Sequence, residues 1–441
     1  MNITIYLLMA VSLLSGILFG YDTAVINGAN QYLKEYFSLS TAAEGTAAAS
    51  AILGCIPGAL FAGFFSDRSG RRGVLFACAV FFTLSAIFTA FSYHFSIFLL
   101  ARFLGGIGIG TASMICPVYT AESAPAHLRG RLGSLFQFGI VSGILFTLFS
   151  NALIQGFGDH TWNLTIGWRI MFGLGGIPAI ALFLVLFRAP ESPRWLLLHG
   201  HDTSKKAESM DSEQMASSEQ TSVSPHNTEG RLGELFQKRL KYPLLIAVGL
   251  AILSQLSGIN ALMYYSTKIF IASGTGVENA FQSSVAVGCI NFTFTMVAVF
   301  FVDRMGRRPL LLIGTLVQFL ALTAVAIMFH AQISGLPLLV ATLVFIAFFA
   351  IAMGPIPWII GSEIFPSALR GRAMSLATFS LWGTCYFVTQ TFPLLNDSPF
   401  IGPAKTFAVF ALCSLVSFVF VYIFVPETKG RSLEEIESFW K

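Results

Sequence analysis

Twelve stretches of this chain are each long and apolar enough to cross a lipid bilayer, and that succession constrains the fold more than any single motif. They lie at 5–29, 46–65, 73–92, 95–119, 132–154, 167–187, 243–271, 281–302, 309–330, 336–360, 372–395 and 405–425. A crossing needs about 20 predominantly apolar residues. Hydrocarbon offers no partner to a backbone N–H or C=O, so each crossing must be a helix that satisfies its own backbone. The expectation is an all-α polytopic membrane protein of twelve transmembrane helices. Composition agrees, with 55% of the 441 residues hydrophobic and 11% charged, against about 25% charged in a soluble domain. The net charge of +4 is mild and scattered, so a nucleic-acid partner is not expected. The first span starts almost at Met1 without a basic flank, so no cleaved leader is expected either.

The spans divide six and six around a polar stretch. The expected organisation is an N-terminal six-helix bundle over 1–187, a cytoplasmic linker over 188–241, a C-terminal six-helix bundle over 242–425 and a short tail over 426–441. The linker's centre, HDTSKKAESMDSEQMASSEQTSVSPHNTEG, has almost no large apolar residue and is expected to be flexible, while RLGELFQKRL (231–240) suits a short surface helix. Basic residues mark the cytoplasmic side. With the N-terminus inside, only Lys34, Arg102, Arg169, Lys268 and Lys405 of the 26 basic residues fall elsewhere. Both termini are therefore expected inside. Short termini and the lack of a long first outer loop point to a bacterial inner membrane.

The two halves repeat. DRSGRR (67–72) returns as DRMGRR (303–308), AESAPAHLRGR (121–131) as SEIFPSALRGR (362–372), and PESPRW (190–195) as PETKGR (426–431). Each pair falls at matching points, after spans 2 and 8, 4 and 10, 6 and 12. Such a repeat implies two pseudo-symmetric bundles that rock about a midplane site, which is alternating access.

The six cysteines all fall in apolar runs and read as buried packing residues, with neither CxxC spacing nor a His cluster for a metal. No nucleophile–base constellation suggests an enzyme, and no cofactor is implied. GGIGIG (105–110) lacks the GxGxxG spacing and reads as small residues for close helix packing.

Taken together, FGYDTAVING, DRSGRR, RFLGGIGIG, PESPRW, QLSGIN, DRMGRRP, GPIPW, SEIFP and PETKGRSLEEIE resemble the sugar-porter family of the major facilitator superfamily. The resemblance runs almost end to end and is strongest to bacterial sugar–proton symporters of the xylose, glucose, galactose and arabinose type. It implies the major facilitator fold and a single-chain carrier, working as a monomer, that takes a monosaccharide (hexose or pentose) with protons. Facilitative uniport is the main alternative, with drug or metabolite export and nutrient sensing less favoured.

At the cytoplasmic ends, a carboxylate at the membrane edge is stabilised by an arginine fork across a helix seam. The expected network joins Asp67, Arg71 or Arg72, Glu122 and Arg129. Its copy joins Asp303, Arg307 or Arg308, Glu363 and Arg370. The resemblance adds Glu191, Arg194, Glu427 and Arg431. Such pairs would lock the inner side and break as it opens.

A sugar needs neutral donor–acceptor groups and an aromatic to stack on. The intramembrane amides Gln137, Gln255, Asn260 and Asn291 meet the first need, and Trp358, after a break at GPIPWII (354–360), meets the second. Phe19, Tyr265 and Trp382 are further candidates. Gln255 and Asn260 lie five residues apart, broadly on one helix side, and a break at Gly258 would bring them closer. Relatives commonly carry an amide where this chain has Ser254 and Leu381; either its sugar preference differs from theirs or waters fill the missing amide reach.

Asp22, inside the first span, and Arg102, inside the fourth, are each expected about seven residues, roughly 10 Å, below the outer boundary. Insertion scales put roughly 2.5–3.5 kcal/mol on an unpaired Asp or Arg at a span centre, which drives two such groups together. Burial disfavours the charged acid and Arg102 favours it. A motion that changes their separation would load or release a proton, and the resemblance supports that role.

Overall fold

The computed structural model describes residues 3–125, 128–199, 237, 240–274, 276–365 and 367–429, and every regular element among them is helical. In chain order these are α1 (Ile3–Tyr36), α2 (Thr41–Ser69), α3 (Arg71–Ala90), α4 (Phe95–Ser123), α5 (Arg129–Gly156), α6 (His160–Arg188), α7 (Pro193–Leu198), α8 (Lys241–Leu256), α9 (Ile259–Ala272), α10 (Val277–Met305), α11 (Arg307–His330), α12 (Leu336–Ile351), α13 (Ile356–Glu363), α14 (Ser367–Asn396) and α15 (Gly402–Phe424). The linker centre, the 231–236 part of the expected surface helix and the tail from 430 lie outside the described residues.

Eleven segments among the described residues are long and apolar enough to span, with α8–α9 and α12–α13 each making one crossing. The first is broken where expected, at Ser257–Gly258; the second is broken at 352–355, earlier than the expected 354–360, whose residues from Ile356 on are helical in α13. The twelfth expected crossing, 372–395, falls in α14, whose 30 residues are long enough. Its Thr378, Ser380, Thr384 and Thr391 hydroxyls each donate to the carbonyl four residues back, so the polar residues that lower its hydropathy are satisfied inside the helix.

Helix ends depart from the hydropathy edges. α1 runs on to Tyr36 rather than stopping near 29, and α2 begins at Thr41 rather than 46. Two cysteines also depart from the buried reading. Cys55, Cys78, Cys116 and Cys385 are buried, but Cys289 is exposed and Cys413 half-buried.

The described chain forms two compact units. The first holds Met1–Thr23, Leu53–Ile144 and Arg169–Thr228; the second holds Ala24–Ile52, Leu145–Trp168 and Glu229–Lys441. α1 belongs to the first as far as Thr23 and to the second beyond it. Inside a bilayer, helices pack by close approach of small residues. In the first unit α1 and α5 do so reciprocally. A Cβ on Gly16 or Gly20 would collide with the Phe136 or Ile140 carbonyl, and one on Gly139 or Gly143 with the Leu13 or Ile17 carbonyl. α2 and α4 repeat the device, since Gly54 and Gly58 meet Phe103 and Ile107, and Gly110 of GGIGIG meets Cys55. Large side chains such as Phe61, Phe64, Leu100 and Leu184 face outward, as a lipid solvent permits.

Candidate functional site

Asp22 and Arg102 form an ion pair in the first unit. Arg102 Nη1 donates to Asp22 Oδ1 at 2.5 Å, and its Nη2 donates to the Asp22 main-chain carbonyl at 3.1 Å. Arg102 is 1% exposed, with its guanidinium 5.4 Å from the Phe172 ring centroid. Asp22 Oδ2 accepts no hydrogen bond among the described residues. The acid thus has one oxygen fixed and one available. Arg102 does lie seven residues into α4, but Asp22 is fourteen residues from the end of α1, about 21 Å along the axis.

The amides of the second unit meet across the α8–α9 break. Gly258 adopts φ +84°, and the chain kinks so that Asn260 Nδ2 donates to Gln255 Oε1. Gln255 Nε2 donates to Ser254 Oγ at 3.0 Å, and Ser254 Oγ to the Ala251 carbonyl at 2.8 Å. Ser254 therefore orients the neighbouring glutamine. Cys385 of α14 lies against Asn260, Tyr264 and Thr389, a neighbour that hydropathy alone could not single out.

The aromatics divide. Tyr265 is fully buried; its hydroxyl donates to the Thr389 carbonyl at 3.2 Å and its ring packs on Phe392. Trp382 is nearly buried, whereas Trp358 is 43% exposed. Trp358 and Leu381 line one small apolar recess with Pro357, Gly361, Met374, Ala377, Ala247 and Ala251. Asn291 is buried on α10. In the first unit Gln137 is exposed on α5, and Phe19 meets Phe136 edge-on.

The arginine clusters form twice, once in each unit. Arg71 grips Glu122 through Nε and Nη2 at 3.0 and 3.2 Å and Asp67 at 3.0 Å. Glu191 accepts the backbone N–H groups of Arg71 and Arg72 at 2.9 and 3.0 Å. In the copy, Arg307 bonds Glu363 at 3.1 Å, and Glu427 accepts the N–H groups of Arg307 and Arg308, each at 3.1 Å. Hydroxyls complete both sets, Ser192 on Glu122 and Thr428 on Glu363. The glycine of each DRxGRR is explained here. Gly70 and Gly306 take φ +84° and +93°, and a Cβ on either would collide with the Glu191 or Glu427 carboxylate. The carboxylates therefore sit on bare helix N-termini, where exposed N–H groups favour an anion.

Three expectations are refined. Arg72 and Arg308 bond helix-end carbonyls, at Leu186 and Phe187 and at Tyr422. Arg194 is exposed and joins none of these pairs among the described residues. The side chains of Arg129, Asp303 and Arg370, and all of Arg431, lie outside the described residues.

The comparisons with known proteins agree with this architecture. The sugar (and other) transporter family model matches residues 8–440. The arabinose–proton symporter of Bacillus subtilis (strain 168) is 39% identical over 433 residues, covering 97% of this chain and 93% of the relative. The D-xylose–proton symporter of Escherichia coli (strain K12) is 36% identical, covering 99% and 96%. A solved inward-open conformation of the xylose transporter XylE from E. coli superposes with a TM-score of 0.87 at 34% identity, covering 99% of this chain and 100% of that one. The chain is a multi-pass membrane protein of the sugar (and other) transporter family, a sugar porter of the major facilitator superfamily.

Proposed function

We propose that this protein imports a monosaccharide, hexose or pentose, together with protons by alternating access. The observation that carries the reading is the Asp22–Arg102 pair, in which Asp22 Oδ2 accepts no hydrogen bond among the described residues. A proton arriving there neutralises Asp22 and weakens its hold on the guanidinium. Arg102 stays tethered through the Asp22 main-chain carbonyl, so the pair can separate and re-form without losing register. The sugar's hydroxyls are met by Gln255, Asn260, Asn291 and Gln137. Trp358 offers a stacking face, with Trp382, Tyr265 and Phe19 as further contacts. The paired clusters built on Arg71–Glu122 and Arg307–Glu363 act as cytoplasmic gates; they hold when the inner side is shut and break when it opens. The named sugar substrates of the B. subtilis and E. coli relatives support a sugar as cargo.

The tether to the main-chain carbonyl also favours a second reading, a facilitative carrier in which the pair is structural. The deciding experiment is uptake of a labelled sugar panel into proteoliposomes with and without an imposed pH gradient. The symport reading expects accumulation that needs the gradient. In Asp22→Asn it expects accumulation and sugar-induced alkalinisation to be lost while sugar exchange persists. Full accumulation by that variant, or uptake indifferent to the gradient in the parent, overturns it.

A further inference from the structure

Five basic residues stand away from the arginine-rich ends of the helices, where the bilayer's charge bias discourages them. Three have local uses. Arg102 holds Asp22, Arg169 closes the Ala90 and Ser92 carbonyls, and Lys405 closes the Phe400 carbonyl. The remaining two, Lys34 and Lys268, converge on one carboxylate in the second unit. Glu44, in the first turn of α2, is 1% exposed. Its Oε1 accepts from Lys268 Nζ and Asn30 Nδ2, each at 2.7 Å, and its Oε2 lies 3.0 Å from Lys34 Nζ. Asp397, just past α14, closes the ring, 2.8 Å from Lys268 and 3.5 Å from Lys34. Two acids and two lysines balance in charge. They draw α1, the start of α2, α9 and the end of α14 onto one point.

Lys268 is the only member on α9, and α9 is a helical piece of its own. It is severed from α8 at Gly258. A second attachment lies one turn closer to that break. Asn27 of α1 donates to the Met263 carbonyl at 2.7 Å and to Ser266 Oγ at 2.6 Å, and it accepts from Thr267 Oγ1 at 2.5 Å. The neutral attachment can open at the cost of ordinary hydrogen bonds. The ionic one cannot open without leaving Glu44, a carboxylate 1% exposed, short of a lysine partner.

We propose that Glu44 is the keystone of a latch that holds α9 shut against α1, and that releasing this latch opens the end of the carrier opposite its arginine clusters. Glu44 is a positioning residue: it acts on the sugar site through α9, which carries Asn260 at its other end. This step rests on the transport reading above, but its test does not need a sugar.

Ile269, the neighbour of Lys268, is 1% exposed. An Ile269→Cys variant in which the exposed Cys289 and half-buried Cys413 are replaced by serine is treated in membrane vesicles with a membrane-impermeant maleimide, and the same cysteine is then read in Glu44→Gln. Because Glu44→Gln leaves two lysines facing each other, the neutral pair Glu44→Gln with Lys268→Met is measured beside it. Both are expected to raise the labelling rate at position 269 by roughly tenfold, as a shift in the population of the open state would. Cys78 and Cys116, buried in the first unit, report general loosening and are expected to stay unlabelled. An unchanged rate at 269 in the neutral pair overturns the latch, as does equal labelling of all three positions. A rise at 269 in a protein that transports no sugar would uphold the latch and sink the sugar reading.

Discussion

Arg102 holds Asp22 twice, through its carboxylate and through its carbonyl, and lysine cannot imitate that fork. Arg102→Lys is therefore expected to keep sugar exchange but to lower gradient-driven accumulation severalfold, measured in the same proteoliposomes as Asp22→Asn. The latch has its own signature in pH. Burial alone would raise the Asp397 carboxyl, but hydrogen bonds from Lys268 and Asn396 and the charges of Lys268 and Lys34 outweigh it, so the group sits below its ordinary value of 3.8. A depressed acid contributes its stabilisation above that ordinary value and loses it as pH falls through the folded one. Labelling of Ile269→Cys, normalised at each pH to that of a free thiol because the thiolate is the reacting form, should therefore be flat across the neutral range and rise only below 3.8. The Asp22–Arg102 pair was legible in the sequence because hydrocarbon leaves two such charges one way to be satisfied. Glu44 and Asn27 were not, because each answers to α9 residues more than two hundred positions away whose identities are unexceptional.

Close helix contact and helix breaks carry the elements. Gly20→Val would push α1 off the Ile140 carbonyl. Overpacking of this kind costs about 1–3 kcal/mol, so a lower melting temperature in detergent is expected, with transport lost in proportion to folded protein. Hydropathy placed nearly every crossing, and the prolines of GPIPW and the glycine of QLSGIN marked the two breaks. Helix ends were less legible. A hydropathy window stops at the first polar residues, but α1 continues through Asn30 and Lys34 because Glu44 satisfies both. The glycines that matter between α1 and α5 were passed over as well. Single glycines four residues apart look ordinary until the facing helix is known.

Across the whole molecule the repeated motifs rebuild one device twice, down to Ser192 and Thr428 on the matching glutamates. Glu191→Gln and Glu427→Gln, each removing an anion from a helix N-terminus, are expected to cost similar amounts, roughly 0.3–1 kcal/mol apiece. Paired melting curves would check that equivalence. The internal repeat made this duplication readable in advance. What it could not show is which arginine binds side chains and which binds carbonyls, since both stand side by side in each motif. One continuous helix, α1, carries Asp22, Asn27, Asn30 and Lys34. Free-energy coupling between two binding events is reciprocal. If breaking the Glu44 contacts alters how tightly Asp22 holds its proton, then loading that proton must alter the strength of the Glu44 contacts by the same factor. The acid buried mid-helix and the lysine near its end would then be two readings of a single equilibrium.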